Sequence, residues 1–391
     1  MERGNPLLRF FDAYVGPILI GILALPRFFA RDSKSLKSIG APQRIGLIKA
    51  AALGDTVLLS AIVSDLAAAF PKAQIILFVG GTNAGLAQKI KGVHQVHRMP
   101  LKNVWRSLRI LRQEPLDLII DTDSWPRISA LWAALAGAQL SVGFATEGQR
   151  RHYAFDIAVP HRGDQHEMEN YRDLLRALEI PVYALPQNFS LTEKVDQPSA
   201  LFTSYRQWRD KYPGRICGLH LWPGGTKSYL KEWPVSSWQE LLRSLPGDLQ
   251  YVMTGGPGDR DRNAECIAGL PSEIQSRVFN AAGFSLGETI HLLAELDVIL
   301  SVNTGVLHLA AAMECPVIGL HGPTNPLRWG PLGSEHISLL AAHPFAGCLN
   351  LGFEYPADGI EIMPSLSVQQ VLKGFSEIRM KRPRLSDKDV K

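Results

Sequence analysis

From residue 44 onwards, short apolar runs alternate with longer segments in which apolar residues recur every three or four positions. The runs RIGLIK, QIILFV and LDLIID predict strands, and the segments TVLLSAIVSDLAAAF and ISALWAALAG predict helices. Strands separated by helices of this length are typical of a parallel sheet with helices on both faces. The first half of the chain therefore predicts a doubly wound α/β domain.

A second alternating set follows, with predicted strands RICGLH, LQYVMT, VILSV and PVIGL. Its helices include SLGETIHLLAEL, where Ser285 and Glu288 have capping-box spacing, and VSSWQELLRSL, for which Ser236 or Ser237 is the expected cap. Between the two sets, PVYALPQNFSLTEKVDQPSA has the composition of a linker. These patterns predict domains over residues 41–195 and 196–375, and a basic, disordered tail over 376–391.

The N-terminal segment, residues 1–40, contains an uncharged apolar run over 14–26. As a helix this run extends about 20 Å, less than the ~30 Å needed to cross the hydrocarbon core, and no signal-peptide cleavage site follows it. Its basic neighbours Arg9, Arg27 and Arg31 suit an anionic membrane surface. We expect an uncleaved segment lying in the cytoplasmic leaflet; the alternative is a helix packed on the domain.

Charge and cysteine usage exclude several classes of protein. The net charge is only +4, without the dense basic stripe of a nucleic-acid-binding protein, so no nucleic-acid partner is expected. The four cysteines are far apart and form no C-x-x-C motif, which indicates a reducing compartment and no thiolate metal site. His94 and His97 lie in a predicted strand without nearby carboxylates or cysteines, so we expect no metal there.

Ligands of doubly wound sheets bind beyond the carboxyl ends of the strands, and in two such domains these ends line an interdomain cleft. In the first half the loop at this position is AAALGD; in the second half the loops are WPGGTKSYLKEW, TGGPGDRDR and SVNTG. None of them fits the dinucleotide-binding G-x-G-x-x-G pattern or the P-loop pattern. A dehydrogenase or a P-loop ATPase is therefore disfavoured.

Two strand-to-helix turns carry candidate chemistry. Asp55 follows Gly54 at the end of the first strand, where it is either a carboxylate facing the ligand or a helix N-cap. The pair Thr304-Gly305 begins a helix, and a helix N-terminus binds anions, phosphate above all. The alternatives are a simple threonine cap and, for His308 one turn later, a buried structural histidine.

The other two loops of the second half also suit a nucleotide ligand. Lys227 and Lys231 flank a glycine loop and suit a diphosphate, although a solvated loop is the alternative. Asp259 follows a glycine turn after a strand, where a carboxylate can accept from ribose hydroxyls or simply cap the next helix.

Several segments resemble glycosyltransferase family 9, whose best-known members are the ADP-heptose:lipopolysaccharide heptosyltransferases. They include AAALGDTVLLSAI, LKEWPVSSWQELL, TGGPGDRDRNAECIA and, most specifically, the run from NAAGFSLGE through SVNTGVLHLAAAMECPVIGLHGPTNPLRWGP. The similarity extends over roughly residues 44–375. It implies a GT-B fold, two Rossmann-like domains with the active site in the cleft between them. It also implies transfer from a nucleotide sugar with inversion and without a metal ion.

The resemblance implies functional roles for individual residues of this chain. Asp55, in the L-G-D motif, matches the catalytic aspartate. The donor contacts matched by position are Lys231, Asp259, Thr304, Gly305 and His308, with Lys227 as a further candidate contact to the diphosphate. Asn303 departs from the pattern, since the family usually has Asp there; the amide keeps the size but loses the charge. This departure leaves the identity of the donor sugar open.

Together these features predict an inverting, metal-independent glycosyltransferase that needs no cofactor. The expected donor is ADP-heptose, and the expected acceptor is a lipopolysaccharide-type or other membrane glycolipid. The enzyme is expected at the inner face of the cytoplasmic membrane, as a peripheral or monotopic protein. The alternatives are a GT-B transferase using another nucleotide sugar, a non-catalytic nucleotide-sugar-binding protein, and a membrane-tethered assembly factor with a vestigial site.

Overall fold

The computed structural model describes residues 10–29, 34–100, 103–113, 115–185, 195, 197–212, 214–225, 227–351 and 354–381. The chain divides into two compact units, Met1–Ser190 and Leu191–Lys391. Within the described ranges each unit contains a six-stranded sheet whose neighbouring strands are all parallel.

The first unit is built around strands β1 to β6. They are β1 (Arg44–Lys49), β2 (Gln74–Val79), β3 (Val93–Arg98), β4 (Leu118–Asp121), β5 (Leu140–Ala145) and β6 (Ile157–Pro160). Its helices are α1 (Gly16–Phe29), α2 (Leu36–Ile39), α3 (Leu53–Ala69), α4 (Ala84–Ala87), α5 (Val104–Gln113), α6 (Arg127–Leu135) and α7 (Glu167–Arg176). A π-helical turn, Phe11–Val15, precedes α1, and a 3-10 turn, Arg151–Ala154, precedes β6.

The second unit repeats this plan with strands β7 to β12. They are β7 (Arg215–His220), β8 (Leu249–Thr254), β9 (Val278–Asn280), β10 (Val298–Val302), β11 (Val317–His321) and β12 (Ile337–Leu340). Its helices are α8 (Ala200–Lys211), α9 (Val235–Ser244), α10 (Arg260–Ala268), α11 (Ser272–Gln275), α12 (Leu286–Glu295), α13 (Gly305–Ala312), α14 (Pro326–Trp329) and α15 (Val368–Lys381). Short 3-10 turns lie at Ser228–Lys231, Pro257–Asp259 and Met363–Ser365.

Both sheets have the same strand order. The first runs β3-β2-β1-β4-β5-β6 and the second β12-β11-β10-β7-β8-β9, which is the same doubly wound order read from the other side. The order reverses between β1 and β4 in the first unit and between β7 and β10 in the second. The predicted pair of Rossmann-like domains is confirmed. Doubly wound sheets bind ligands at such a reversal point.

The central strands are apolar because helices cover both of their faces. Strand β10 is buried along its whole length, and so is β11. The outer strand β12 alternates between half-buried and exposed positions, and β6 also contains exposed residues. These two short strands, at opposite ends of their sheets, carry a weaker hydrophobic pattern, which explains why the sequence did not reveal them.

The helix ends agree with the sequence only in part. At α12 the Ser285 side chain accepts from the Glu288 N–H (3.2 Å), and the Glu288 carboxylate accepts from the Ser285 N–H (2.7 Å), which confirms the capping box. The predicted serine cap of α9 is wrong, since this helix begins at Val235 with Pro234 in the cap position. Helix α15 runs to Lys381 with Ile378 buried, so the predicted tail boundary at residue 376 falls inside a packed helix.

Helix α1 packs on the first unit, which was the alternative left open by the sequence. It contacts α6 and the turn Arg151–Ala154, and Ile20 is completely buried in the cluster that contains Trp132. Just before α1, the Asp12 carboxylate accepts from the Arg127 N–H at 2.8 Å and thereby caps α6. The N-terminal segment is therefore a structural part of this unit.

The outward side of the segment stays apolar and exposed, at Tyr14, Ile18 and Ile22 among others. None of the described helices is long and apolar enough to cross a membrane. Of the basic residues expected to flank the segment, Arg9 and Arg31 lie outside the described residues, and the side chain of Arg27 is likewise not described.

Two isoleucines of α1 provide a test of this packing. Ile20→Ala is expected to destabilise the protein by about 2–5 kcal/mol, because it leaves a cavity in the core of the unit. The matched change Ile18→Ala, two residues away on the exposed side of the same helix, is expected to alter stability by less than about 0.5 kcal/mol. Denaturant unfolding of both variants measures the difference; equal effects would show that α1 does not pack on the unit.

Candidate active site

The carboxyl ends of β1 and β4 lie side by side at the reversal point of the first sheet. The two strands are parallel neighbours, and Ile48 is paired with Asp121. Lys49 ends β1, Asp123 follows β4, and Asp55 lies in the first turn of α3. The topology therefore brings one buried amine and two carboxylates to the same point.

Lys49 is the centre of this cluster. Its Nζ lies 3.3 Å from Asp55 Oδ2 and 3.0 Å from Asp123 Oδ1, and it donates to the Thr122 carbonyl oxygen at 3.3 Å. Burial alone lowers the pKa of Lys49, but the charges of Asp55 and Asp123 outweigh it and hold this pKa well above its usual value. The two carboxylates thus favour the ammonium form of Lys49.

The backbone around the cluster is fixed by side chains. The Asp123 carboxylate accepts from the Ala50 N–H at 2.7 Å, so the same group holds Lys49 and the turn that follows it. Asn83 donates to the Lys49 carbonyl oxygen at 3.1 Å and to the Thr56 hydroxyl at 2.8 Å. The start of α3, which carries Asp55, is therefore tied to the end of β1.

A second buried ion pair, between Arg151 and Asp121, holds the carboxyl end of β4. The Arg151 guanidinium is completely buried and contacts the Asp121 carboxylate, the Asp123 carbonyl oxygen and the Ser129 hydroxyl. Burial raises the pKa of Asp121, although the Arg151 charge opposes this shift. The pair fixes the chain that presents Asp123 to Lys49.

Asp55 is not the N-cap of its helix. The cap position belongs to Ala52, whose φ of 77° lies in the left-handed region that alanine rarely adopts. Asp55 lies within the first turn, almost buried and paired with Lys49. Its carboxylate is therefore held by a side chain on a neighbouring strand, in the position of a candidate base.

In the second unit, three adjacent strands bring the predicted donor residues to one edge. Strand β7 pairs with both β8 and β10, so their carboxyl ends lie together. The residues that follow these strands are Lys227 and Lys231 after β7, Asp259 after β8, and Asn303, Thr304, Gly305 and His308 after β10. The fold thus places all of the predicted donor residues beyond neighbouring strand ends.

The turn after β10 has the form of a capped helix start. Thr304 is the N-cap of α13, and its hydroxyl accepts from the Val306 N–H at 3.2 Å. Gly305 is the first helical residue, and His308 lies one turn further and is buried. The threonine cap satisfies one N–H group, and the remaining N–H groups of this first turn keep the positive character that suits a phosphate.

Asn303 has a structural partner that the sequence did not reveal. Its Nδ2 donates to the Trp329 carbonyl oxygen at 2.8 Å, at the end of α14, and its backbone N–H donates to the Leu320 carbonyl oxygen at 3.2 Å. A carboxylate has no N–H to offer to that carbonyl oxygen. The amide at this position therefore holds the loop between β11 and β12 against the end of β10.

The two lysines of the β7 loop differ in their surroundings. Lys227 has a φ of 50°, and its Nζ forms an exposed ion pair with Asp358 Oδ1 at 2.9 Å. Hydrogen bonding to Asp358 raises the pKa of Lys227. Lys231 ends the turn Ser228–Lys231 and is half-buried. Lys227 must leave Asp358 to reach a ligand, whereas Lys231 belongs to the 3-10 turn Ser228–Lys231.

Asp259 closes its own turn. Its Oδ2 accepts from the Gly256 N–H at 2.8 Å, and Asp259 occupies the N-cap position of α10. A Cβ on Gly255 would lie 2.8 Å from that of Asp259, so this turn requires glycine. The Asp259 side chain makes no cap hydrogen bond to α10, so the helix cap that the sequence left open is met in position only.

Sequence reasoning missed Lys49, Asp123 and Tyr171. The Lys49 ammonium lies over the Tyr171 ring, 5.2 Å from its centroid. A signal was present, because a charged residue directly after a buried strand, as in RIGLIK and LDLIIDTD, marks the carboxyl edge of the sheet. No set of three or more His, Cys, Asp or Glu side chains suited to a metal ion occurs within the described residues.

Comparison with known proteins identifies the family. The model of glycosyltransferase family 9 (heptosyltransferase) matches residues 104–350. The lipopolysaccharide heptosyltransferase 1 of Pseudomonas aeruginosa is 27% identical over 327 residues, which cover 78% of this chain and 86% of that protein.

Solved structures share the fold. A glycosyl transferase family 9 protein from Veillonella parvula superposes with a TM-score of 0.69 at 16% identity, covering 87% of this chain and 98% of that one. The E. coli heptosyltransferase WaaC with ADP gives 0.64 at 19% identity, covering 86% and 99%. The predicted GT-B fold is confirmed. The chain belongs to glycosyltransferase family 9 (heptosyltransferase), and it is a glycosyltransferase.

Proposed function

We propose that this enzyme is an inverting heptosyltransferase that transfers heptose from ADP-heptose to a lipopolysaccharide-type membrane glycolipid. The observation that carries the proposal is the buried cluster of Lys49, Asp55 and Asp123 at the carboxyl edge of the first sheet. Heptosyltransferase relatives, one of them solved with ADP, support the donor. The lipopolysaccharide in the name of the Pseudomonas relative supports the acceptor.

In the proposed mechanism Asp55 is the general base. Its carboxylate removes the proton of the acceptor hydroxyl as that oxygen attacks the anomeric carbon of the donor. The new C–O bond forms on the face opposite the departing diphosphate, whose C–O bond breaks with the electron pair leaving on ADP. Lys49 acts as a positioning residue, since its ammonium group holds the Asp55 carboxylate at 3.3 Å.

We assign to groups of the second unit the task of compensating the negative charge that grows on the leaving diphosphate. Lys231 and the N-terminal turn of α13 offset this charge, with Lys227 as a further contact. Thr304, Gly305 and His308 belong to the same phosphate site, and Asp259 accepts from the donor nucleoside. These groups provide the positive charge that a metal ion supplies in other transferases, so the proposed reaction needs neither a metal nor a cofactor.

We also propose that the enzyme works as a peripheral or monotopic protein on the inner face of the cytoplasmic membrane. Nucleotide sugars are made in the cytoplasm, and a glycolipid presents its sugar at the membrane surface. The apolar residues that α1 leaves exposed support this location.

Replacing the proposed base is expected to separate chemistry from binding. Asp55→Asn should lower kcat by about 10²–10⁴-fold, because a general base contributes that much, while donor affinity measured by calorimetry stays within a few-fold. The matched control is Asp117→Asn at the amino end of β4, where the side chain binds the Gln43 and Arg44 N–H groups. Near-normal turnover of Asp55→Asn would contradict the assignment.

The two lysines of the β7 loop are expected to differ. Lys231→Ala should weaken donor binding and slow transfer by at least about tenfold, since a charge-assisted bond to a phosphate contributes about 1.5–3 kcal/mol. Lys227→Ala should have the smaller effect because it begins in an ion pair with Asp358. Donor titrations and initial rates measure both.

The same assay tests metal independence. EDTA should leave the rate of the wild-type enzyme unchanged. Strong inhibition by EDTA that a divalent ion reverses would refute the metal-free mechanism and leave the lysine comparison to be interpreted anew.

Asn303 is expected to affect both stability and choice of donor. Asn303→Asp loses the hydrogen bond to Trp329 and should cost about 1–3 kcal/mol. It should also change the ratio of kcat/KM values across ADP-, UDP-, GDP- and dTDP-sugars, because a new carboxylate stands beside the donor site. Asn170→Asp, which loses a similar bond to the Arg162 carbonyl oxygen in the first unit, is the control.

The control should lower the melting temperature without changing the donor ratio. An unchanged ratio in Asn303→Asp would show that this position supports only the loop. A wild-type preference for a nucleotide sugar other than ADP-heptose would favour the alternative transferase that Asn303 suggests.

A further inference from the structure

Residues 10–22 carry two stripes that face in opposite directions. Asp12, Gly16 and Ile20, spaced four apart, face the unit and are buried. A Cβ on Gly16 would meet the Arg127 side chain at 2.9 Å, so the helices are in close contact there. Only this side of the segment is therefore buried against the unit.

The other stripe, two residues out of phase, is apolar and exposed. Phe10, Tyr14, Ile18 and Ile22 are 56%, 65%, 64% and 57% exposed, again at four-residue spacing. On a helix this spacing forms a row about 18 Å long. Single exposed apolar side chains are ordinary, but a continuous row of large ones marks a surface that binds another apolar phase.

Helix α5, which also packs against α6, has a different exposed face. Trp105 is 83% exposed, and Arg106, Arg109 and Arg112 are also exposed, whereas Leu111 is buried. Both α1 and α5 pack against α6, and Ile20, Leu111 and Trp132 belong to one core cluster. Two helices that both pack against α6 therefore carry an apolar row, an exposed tryptophan and three guanidinium groups.

The position of this face matters for an acceptor. Asp12 caps the N-terminal end of α6, and that end follows directly from the carboxyl end of β4, where Asp123 meets Lys49. The apolar row therefore begins beside the edge of the sheet that holds the proposed base. A glycolipid anchored under the row would present its sugar to that edge.

We infer that the α1–α5 surface, formed by the exposed row of residues 10–22 together with Trp105, Arg106 and Arg109, binds an anionic phospholipid leaflet. The row lies in the plane of the interface with its side chains among the upper acyl chains. Trp105 lies at the headgroup level, and the arginines bind lipid phosphates. This surface is the membrane contact of the proposed enzyme, and only the identity of the acceptor depends on the proposed function.

Vesicle co-sedimentation of the full-length protein tests the surface. Vesicles of phosphatidylglycerol with phosphatidylethanolamine should bind the protein, and vesicles of phosphatidylcholine should bind it much less. Arg106→Gln with Arg109→Gln should weaken binding about thirtyfold at low salt, because each basic residue near an anionic surface contributes about 1 kcal/mol. Ile18→Ser with Ile22→Ser should weaken it by about tenfold or more at any salt concentration.

Matched controls lie elsewhere on the chain. Leu327→Ser removes an apolar side chain that is 73% exposed in the second unit, and Lys72→Gln with Lys211→Gln removes two exposed charges. Both controls should bind vesicles like the wild type. Melting temperatures of all variants should stay within a few degrees, since every altered side chain is exposed.

Two results would overturn the inference. One is vesicle binding that neither double variant reduces, or that the controls reduce equally. The other is a wild-type dimer in light scattering that Ile18→Ser with Ile22→Ser converts to a monomer, which would assign the row to a second copy of the chain.

An assay of sugar transfer to a soluble acceptor fragment measures catalysis independently of membrane binding. Both double variants should retain that activity and lose activity on vesicle-borne acceptor. Vesicle binding by a protein that transfers no sugar would refute the proposed function and uphold the surface.

Discussion

The first unit depends on a buried ammonium group that is balanced on two sides. Lys49 lies at the end of a central strand, where taking a charge out of water costs several kcal/mol. Asp55 and Asp123 compensate that charge, and Asp123 also fixes the Ala50 backbone. Because losing either carboxylate leaves the ammonium undercompensated, structure and reactivity are coupled here. The group proposed to take a proton is also one of the groups that keep the strand end in place.

The loops of the second unit are fixed by single hydrogen bonds to the backbone. An amide, a hydroxyl and a carboxylate each hold one turn at the edge of the sheet. Asn303 ties β10 to α14, Thr304 caps α13, and Asp259 closes the turn after β8. None of these three contacts uses a lysine, and the N–H groups of the first turn of α13 keep the positive character that suits an anionic ligand. These contacts are compatible with the diphosphate site proposed for this unit.

The sequence predicted most of the fold because a parallel sheet leaves a strong pattern. Buried central strands such as β1 and β10 are continuous apolar runs, and the helices between them keep their period. The capping box at Ser285 was equally local and was found. The outer strands β6 and β12 were not predicted, because a run of only four partly exposed residues carries little pattern. Ser236 and Ser237 failed as caps because Pro234 took the cap position, one residue before α9 begins.

By itself, then, the sequence determined the doubly wound class, the family and the loops that carry chemistry, since these depend on local periodicity and on motif spacing. Only the tertiary structure decided which side chains meet. Lys49 and Asp123 are 74 positions apart along the chain and adjacent in space, because β1 and β4 pair at the point where the strand order reverses. The N-terminal segment shows the same limit. Its apolar composition favoured a membrane surface, with a packed helix as the alternative. Packing against α6 assigned one stripe to the core and left the other exposed.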